Sequence, residues 1–206
     1  MVNLDDIAVR LGTDKSSRGH NYTGYYQKNF KDFVHKEISL LEIGILQGQS
    51  LMMWKEFFPK GKIYGLDITD CSHMNQDRLL TIKGDQRDRD LLLRMSKDYG
   101  PFDIIIDDGS HMSSAMRDSF TFLFPYIKRG GYYVVEDLHA CYLRKKYVDE
   151  LPSFMSYVKE LLDYINCYGK FMNAAHIDTK NLNFYEYAIE SITMYRSICF
   201  IKRSTL

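Results

Sequence analysis

Short apolar runs alternate along the chain with segments of helical periodicity. The runs are rich in β-branched and aromatic residues and predict strands at residues 39–43, 62–66, 81–83, 102–106 and 132–135. Between them, apolar residues recur at the three- and four-residue spacing of helices that pack one face on a sheet. This alternation predicts an α/β fold with a doubly wound sheet of parallel strands and right-handed crossovers.

The C-terminal residues depart from this alternation. The sequence IESITMYRSICFIKR predicts two strands around a tight turn at Tyr195-Arg196, and hence an antiparallel edge to the sheet. Ahead of it, the residues from Leu151 to Tyr168 have helical periodicity. The helix between the two central strands is predicted to carry one apolar face, made of Met112, Ala115, Met116, Leu123 and Ile127.

The N-terminal residues predict a helix followed by a polar loop. Apolar residues from Leu4 to Leu11 have helical spacing, and Gly12 is placed to cap that helix. The tyrosine-rich segment that follows has two open interpretations. It is either a solvated connector or a lid over a site, closed by Lys15, His20 and Tyr22.

The first two strands are followed by a nucleotide-binding pattern. After the first strand come Gly44-x-x-x-Gly48 and a helix, an arrangement in which the backbone turns sharply and approaches a ligand. The second strand ends at Asp67, 23 residues after Gly44, where an acid suits hydrogen bonding to ribose hydroxyls. The glycine spacing is not the full dinucleotide fingerprint G-x-G-x-x-G.

Acidic pairs follow the two central strands. FDIIIDDGSH ends its strand at Asp107-Asp108, and GGYYVVEDL ends its strand at Glu136-Asp137. Open α/β sheets bind ligands at the carboxyl ends of their strands. Four carboxylates without a nearby fixed cation would repel one another, so they predict either a divalent metal or a solvated acidic cleft.

Composition narrows the classes of function. Basic and acidic residues balance at 27 each, so no positive excess points to a nucleic-acid partner. Four scattered cysteines without C-x-x-C spacing predict buried thiols. The first residues lack a signal-peptide pattern, and no apolar run approaches the roughly 20 residues of a spanning helix. We therefore expect a cytoplasmic protein with no membrane partner and one domain over residues 1–206, with residues 1–36 as an N-terminal lid or helical segment.

Segments along nearly the whole chain resemble class I S-adenosylmethionine-dependent methyltransferases. They are LGTDKSSRGHNYTGYY, LLEIGILQGQSLMMW, IYGLDI, KGDQRD, FDIIIDDGSHMSS, GGYYVVEDL and SITMYRSICFIKR. More narrowly, DDGSH followed by VVEDL resembles the metal-dependent sugar O-methyltransferases of the macrocin and mycinamicin type, with their rhamnosyl O-methyltransferase and cephalosporin-hydroxylase-like relatives. The resemblance implies a Rossmann-like, doubly wound class I methyltransferase fold with an antiparallel C-terminal edge strand.

The resemblance also implies cofactors and site residues. S-adenosyl-L-methionine would be the methyl donor, and Asp108, Glu136 and Asp137 would ligate Mg²⁺ or another divalent metal such as Mn²⁺. His111 would be the general base. The residues implied in cofactor binding are Lys15, Tyr22, Glu42, Gly44, Gly48, Ser50, Asp67, Ile68, Asp85, Gln86 and Asp107. No role follows for His139.

The chemistry agrees with these roles. Carboxylates at adjacent strand ends offer hard oxygen ligands from one side, which suits Mg²⁺ because it keeps positions for water or substrate. His111 stands three residues after Asp108. An alcohol becomes a useful nucleophile when a Lewis acid polarises its oxygen and a base with a near-neutral pKa takes its proton.

The predicted function is O-methylation of a small-molecule sugar acceptor. Whether that sugar is nucleotide-linked, part of a glycan or part of a natural product stays open, as does a homo-oligomeric state. The preference for Lys, Asn, Ile and Tyr over Ala and Arg favours an AT-rich bacterial genome and capsule or surface-polysaccharide biosynthesis. The alternatives are a methyltransferase of a phenolic hydroxyl such as a catechol, a nucleotide-sugar or NAD-dependent Rossmann enzyme, and a non-catalytic methyltransferase-like subunit.

Overall fold

A single seven-stranded sheet organises the part of the chain that the structure, a computed structural model, describes: residues 3–143, 146–167 and 182–205. Its strands are β1 (Ser39–Ile43), β2 (Lys62–Asp67), β3 (Leu79–Lys83), β4 (Phe102–Asp107), β5 (Ile127–Val135), β6 (Ile189–Tyr195) and β7 (Ile198–Arg203). Their spatial order is β3-β2-β1-β4-β5-β7-β6. The first five strands pair in parallel, and β7 runs antiparallel to β5 and β6. The predicted doubly wound sheet with an antiparallel edge is therefore confirmed.

Helices cover both faces of the sheet. They are α1 (Leu4–Leu11), α2 (Thr23–Phe30), α3 (Gln49–Phe57), α4 (Arg89–Asp98), α5 (Ser113–Leu123), α6 (Phe154–Ile165) and α7 (Phe184–Ala188), with short 3-10 turns at Lys31–Phe33, Ser72–Met74, Phe124–Tyr126 and Leu138–Tyr142. The core residues of α1, α2 and α3 pack on one face, and those of α4, α5 and α6 on the other. Along β4, Ile104 and Ile106 belong to the first layer and Phe102 and Ile105 to the second. The central strands are thus buried on both faces, which explains their continuous apolar runs.

The structure corrects the boundary between α5 and β5. Ile127 opens β5 and does not lie on the helix face predicted for it. β5 thus begins five residues before the strand predicted at 132–135, and the pair Gly130-Gly131 lies inside it. A Cβ on Gly131 would come within 2.4 Å of the carbonyl oxygen of Asp103, so this glycine permits a close approach of β5 to β4, where the strand register shifts.

Several local predictions are confirmed. Gly12 caps α1 in the left-handed conformation, with φ of +75°. The C-terminal hairpin turns at Arg196-Ser197, one residue later than expected. The helix predicted from Leu151 to Tyr168 is shorter than expected: α6 spans Phe154–Ile165, and Tyr168 lies outside the described residues.

The four cysteines are buried free thiols, as predicted: Cys71, Cys141, Cys167 and Cys199. Within the described residues, every helix is too short or too polar to cross a membrane. The organisation of residues 1–206 as one methyltransferase domain, with residues 1–36 as a lid or helical segment, stays a prediction.

Candidate functional site

Two adjoining clefts open at the carboxyl ends of β1, β2 and β4. The crossover from β1 to β2 passes through α3 on one face of the sheet, and the crossover from β3 to β4 passes through α4 on the other face. The strand order therefore reverses between β1 and β4, which is where doubly wound folds bind ligands. The first cleft, about 400 Å³, contains predicted cofactor residues in its wall, namely Gly44, Asp67, Ile68, Asp85 and Gln86. The second, about 250 Å³, is lined by Lys15, Ser50, Asp108, His111 and Asp137 among others. Both share Gly44, Asp67 and Gly109, so a ligand in one cleft would border the other.

Gly44 allows the loops after β1 and β4 to touch. Its φ is +91°, and a Cβ on it would lie 2.1 Å from the carbonyl oxygen of Asp108. Glycine is therefore required here both for conformation and for space. Gly48 also has a positive φ, of +78°, at the start of α3, but it faces Met74 and lines neither cleft.

Asp67 presents an ionised carboxylate at the end of β2. The backbone N–H groups of Ile45 and Thr69 each donate to it at 2.8 Å. Burial alone would raise the pKa of Asp67, but these hydrogen bonds outweigh it and hold the pKa below its usual value. An acceptor of this kind is suited to the hydroxyls of a ribose.

Gln86 joins the wall of the first cleft to the loop after β4. Its Oε1 accepts a hydrogen bond from the backbone of Ser110 at 2.9 Å, and its Nε2 donates to Oδ1 of Asp107 at 3.2 Å. Asp107 is buried and also accepts from the hydroxyls of Ser119 and Tyr133. Burial raises the pKa of Asp107, although these bonds oppose the shift. Asp107 lines neither cleft, so in this arrangement it supports Gln86.

The carboxylate of Asp85 forms an ion pair with Arg87. Arg87 donates to Oδ2 of Asp85 at 2.8 Å, and hydrogen bonds from the Arg87 side chain and backbone lower the pKa of Asp85. Both residues lie in the wall of the first cleft. Ile68, beside them, is 70% exposed and offers an apolar surface to a ligand there.

Lys15 places a buried ammonium group among the acids. Its Nζ lies 2.5 Å from Oδ2 of Asp108, 2.9 Å from Oε2 of Glu136 and 3.4 Å from Oε1 of Glu42. Burial alone would lower the pKa of Lys15, but these carboxylates raise it well above its usual value. Contrary to the expectation from the sequence, the acids therefore have a nearby fixed cation, which the N-terminal loop supplies.

Glu42 and Glu136 are the buried members of this acid cluster. The hydroxyl of Ser50 donates to Glu42 at 3.0 Å, and burial raises the pKa of Glu42 to about 7 against the opposing charge of Lys15. Tyr26 donates a short hydrogen bond to Oε1 of Glu136. Burial and the charge of Asp108 raise the pKa of Glu136 well above its usual value, although Lys15 and Tyr26 act against that shift.

His111 faces the two acids that line the second cleft. Its Nε2 lies 3.7 Å from Oδ2 of Asp137 and 4.0 Å from Oδ1 of Asp108. One donor atom from each of these three residues lies within 4.8 Å of the other two, which is a spacing that could hold a metal ion. The predicted ligand Glu136 lies outside this group of three, and its oxygens are engaged by Lys15 and Tyr26. Its coordination of a metal stays a prediction.

The loop of residues 13–22 contacts the site directly. The hydroxyl of Tyr22 donates to Oδ1 of Asp137 at 2.8 Å, and Nδ1 of His20 lies 3.0 Å from the same oxygen. With Lys15, these contacts favour the lid interpretation over a solvated connector. The same loop is also part of the core, since Tyr22 is 2% exposed.

Sequence reasoning missed the supporting hydroxyls. Tyr26, Ser119 and Tyr133 bind the buried acids, but each occupies an apolar position in a helix or strand and carries no local signal of a polar partner. His139, for which no role was predicted, lies with Nδ1 2.7 Å from the hydroxyl of Ser197 and 4.0 Å from Oδ1 of Asp137. The turn between β6 and β7 thus forms part of the site's rim.

Comparison with known proteins points to one group of enzymes. The chain is 45% identical over 146 residues to mycinamicin VI 2''-O-methyltransferase of Micromonospora griseorubida and 44% identical over 146 residues to demethylmacrocin O-methyltransferase of Streptomyces fradiae. Each match covers 68% of this chain and 37% of the relative. No family model matches the chain.

A solved structure resembles the whole sheet and its helices. The MycE methyltransferase from the mycinamycin biosynthetic pathway, in complex with Mg and SAH, matches with a TM-score of 0.87 and 34% identity. The match covers 98% of this chain and 54% of that one. The chain thus spans between about a third and about half of the length of these relatives.

Proposed function

This chain belongs to the family of class I methyltransferases that includes the mycinamicin and macrocin sugar O-methyltransferases, and on that premise we propose that it transfers a methyl group from S-adenosyl-L-methionine to a sugar hydroxyl with the help of a divalent metal. The observation that carries this proposal is the position of His111 between Asp108 and Asp137, beside a cleft that Gly44 and Asp67 share.

The first cleft fits the cofactor. Asp67 would bind the ribose hydroxyls, and Asp85 with Gln86 would lie at the adenine end. The tight approach at Gly44 leaves room for a ligand against the backbone. Ile68 would contact the cofactor directly, whereas Lys15, Tyr22, Glu42, Gly48, Ser50 and Asp107 would act by shaping the loops around it. Bound there, S-adenosyl-L-methionine supplies an electrophilic sulfonium methyl group.

The second cleft fits a divalent metal. Asp108 and Asp137 offer hard oxygen donors from two adjacent strand ends, the donor type that Mg²⁺ and Mn²⁺ prefer. Glu136 would be the third of the predicted metal ligands, and its Oε2, which Lys15 binds, would then contact both Lys15 and the metal. Imidazole is a poor partner for Mg²⁺, which leaves His111 free for proton transfer. When bound, the metal polarises the acceptor hydroxyl and lowers its pKa.

The residues of the chain supply the remaining steps. His111 would take the proton of the acceptor hydroxyl at Nε2, the ring nitrogen that faces the two acids. Its Nδ1 is buried without a hydrogen-bond partner among the described residues. Asp137 would stabilise the imidazolium that forms. The loop of residues 13–22 would exclude water, and holding acceptor and donor in adjoining clefts would supply much of the acceleration.

Methyl transfer from labelled S-adenosyl-L-methionine tests the proposal. Purified protein treated with EDTA should be inactive on vicinal-diol sugars, and Mg²⁺ or Mn²⁺ should restore transfer. Glycosylated natural products, nucleotide sugars and a catechol would be compared as acceptors at equal concentration. Transfer unaffected by EDTA would exclude the metal-dependent mechanism, and transfer to the catechol alone would exclude a sugar acceptor. A thermal shift with NAD and none with S-adenosyl-L-methionine would exclude methyl transfer altogether.

A further inference from the structure

The ammonium group of Lys15 is almost fully enclosed by protein. Its side chain is 2% exposed. The side chains of Glu42 and Glu136, which it contacts, are 0% and 1% exposed. Taking an ammonium ion out of water costs several kcal/mol unless carboxylates compensate for it. Lys15 therefore keeps its charge and its position because of the acids, and the acids tolerate one another because of Lys15.

The same loop binds every predicted metal ligand. Lys15 contacts Asp108 and Glu136, while Tyr22 donates to Asp137. A divalent ion bound to these carboxylates would lie close to the ammonium group of Lys15, which already binds two of them. Lys15 and the ion thus have Asp108 and Glu136 in common as partners.

We propose that Lys15 is the internal counter-ion that sets the affinity of the metal site, so that its ammonium and the divalent ion weaken each other's binding. The inference rests on the proposed function, since it takes the metal to lie on these carboxylates. Two positive charges that share a carboxylate repel across a poorly screened site, and such coupling is reciprocal. Metal binding then loosens the hold of Lys15, and with it the loop of residues 13–22.

If the role of Lys15 were purely structural, removing it would change the metal affinity in the opposite direction. If the ammonium only kept the carboxylates in place, its removal would let them move apart or bind protons, and metal affinity would fall. The sign of the change in metal affinity therefore separates the two roles. It does so without reference to catalysis.

The test is a titration of the full chain with Mn²⁺, in which electron paramagnetic resonance measures the concentration of free Mn²⁺. Wild type would be compared with Lys15→Met and with Lys62→Met, a matched control at the exposed end of β2 farthest from Asp67. Lys15→Met should bind Mn²⁺ about tenfold tighter or more, within the usual range of coupling between sites. Lys62→Met should bind as wild type does. In wild type, Mn²⁺ should also increase acetylation of Lys15 by acetic anhydride, read by mass spectrometry.

A second pair of variants covers the case in which Lys15→Met does not fold. Lys15→Met combined with Glu42→Gln removes one buried acid together with the cation, and its reference is Glu42→Gln alone. The same tightening is expected between these two. If wild type binds Mn²⁺ and removal of Lys15 leaves the affinity unchanged or weaker, the inference is overturned while the proposed function stands. If neither wild type nor any variant binds Mn²⁺, both the inference about Lys15 and the proposed metal-dependent function are overturned.

Discussion

The imidazole Nε2 of His111 lies 3.7 Å from Oδ2 of Asp137, and both residues have left-handed backbone conformations, with φ of +58° and +53°. Few residues other than glycine adopt this conformation, although Asp and His do so more often than most. Such geometry persists where the surrounding contacts determine it, and it is frequent in active sites. Both loops after the central strands therefore end in constrained turns that fix the two side chains against each other.

Replacement of His111 tests the assignment of the general base. His111→Gln should lower kcat by about 10²- to 10⁴-fold, the usual contribution of a positioned acid or base, with a small effect on the binding of S-adenosyl-L-methionine. His35→Gln, on the exposed surface, serves as the matched control. Turnover of His111→Gln within a few-fold of wild type would mean that another group accepts the proton.

The two glycines at positions 44 and 24 provide a paired test of the cofactor loop. Gly44→Ala forces a Cβ against the Asp108 carbonyl at a φ of +91°, and should lower the free energy of unfolding by about 1–3 kcal/mol and weaken binding of S-adenosyl-L-methionine. Gly24→Ala meets no atom within 4 Å in α2. It should leave stability unchanged or raise it by up to about 1 kcal/mol. Denaturant unfolding and calorimetric titration would measure both effects, and equal behaviour of the two variants would contradict the close approach at Gly44.

The raised pKa of Glu42 makes stability depend on pH. The native carboxyl, with a pKa near 7 against 4.5 for the free group, binds protons more tightly than the unfolded one. Its contribution is therefore favourable at low pH and is lost as pH rises from about 4.5 through 7, by on the order of 3 kcal/mol at most. Glu42→Gln lacks this loss, so it should gain stability relative to wild type as pH rises from 5 to 8.

That difference would be measured by urea unfolding in the presence of a chelator. Other buried acids, including Asp107 and Glu136, also have raised pKa values, but they titrate in both proteins and their effects largely cancel in the comparison. Parallel pH profiles for wild type and Glu42→Gln would show that Glu42 stays ionised beside Lys15.

Gln86 offers a test of the wall between the two clefts. Gln86→Leu removes the partner of the Ser110 N–H group and one partner of the buried Asp107. We expect a loss of about 1–3 kcal/mol in the free energy of unfolding, the range for a buried polar group left without its hydrogen bond. The KM for S-adenosyl-L-methionine should also rise. Gln47→Leu, at an exposed position, is the control, and an equally small effect of both variants would contradict the supporting role of Gln86.

The sequence was informative wherever a signal is local. Strands, the capped first helix and the acidic pairs at strand ends follow from runs, spacings and turn residues within a few positions of each other. The glycine pattern at Gly44 located the first cleft for the same reason. The predicted start of β5, at residue 132, is five residues late because a Gly-Gly pair is typical of turns as well as of close strand approaches, and only the packing of β5 on β4 distinguishes them.

The long-range charge contacts could not be predicted in this way. Lys15 reaches Glu136 across 121 positions, and Tyr26 reaches the same side chain across 110. Each lies in a segment whose own pattern describes a loop or a helix, and no periodicity relates it to the acids. Their partners become apparent only when the sheet brings the end of β5 under the N-terminal loop.

In each acidic pair, after β4 and after β5, the first acid is buried and the second lines a cleft. Asp107 and Glu136 are buried, while Asp108 and Asp137 line the second cleft. Because side chains alternate between faces along a strand, the register of β4 and of β5 decides which face of the sheet each buried acid occupies. Inserting or deleting a single residue in β4 or β5 just ahead of either pair would turn its buried acid towards the opposite face of the sheet. The number of residues in β4 and β5 ahead of each acidic pair is thus as strictly specified as the identity of the acids.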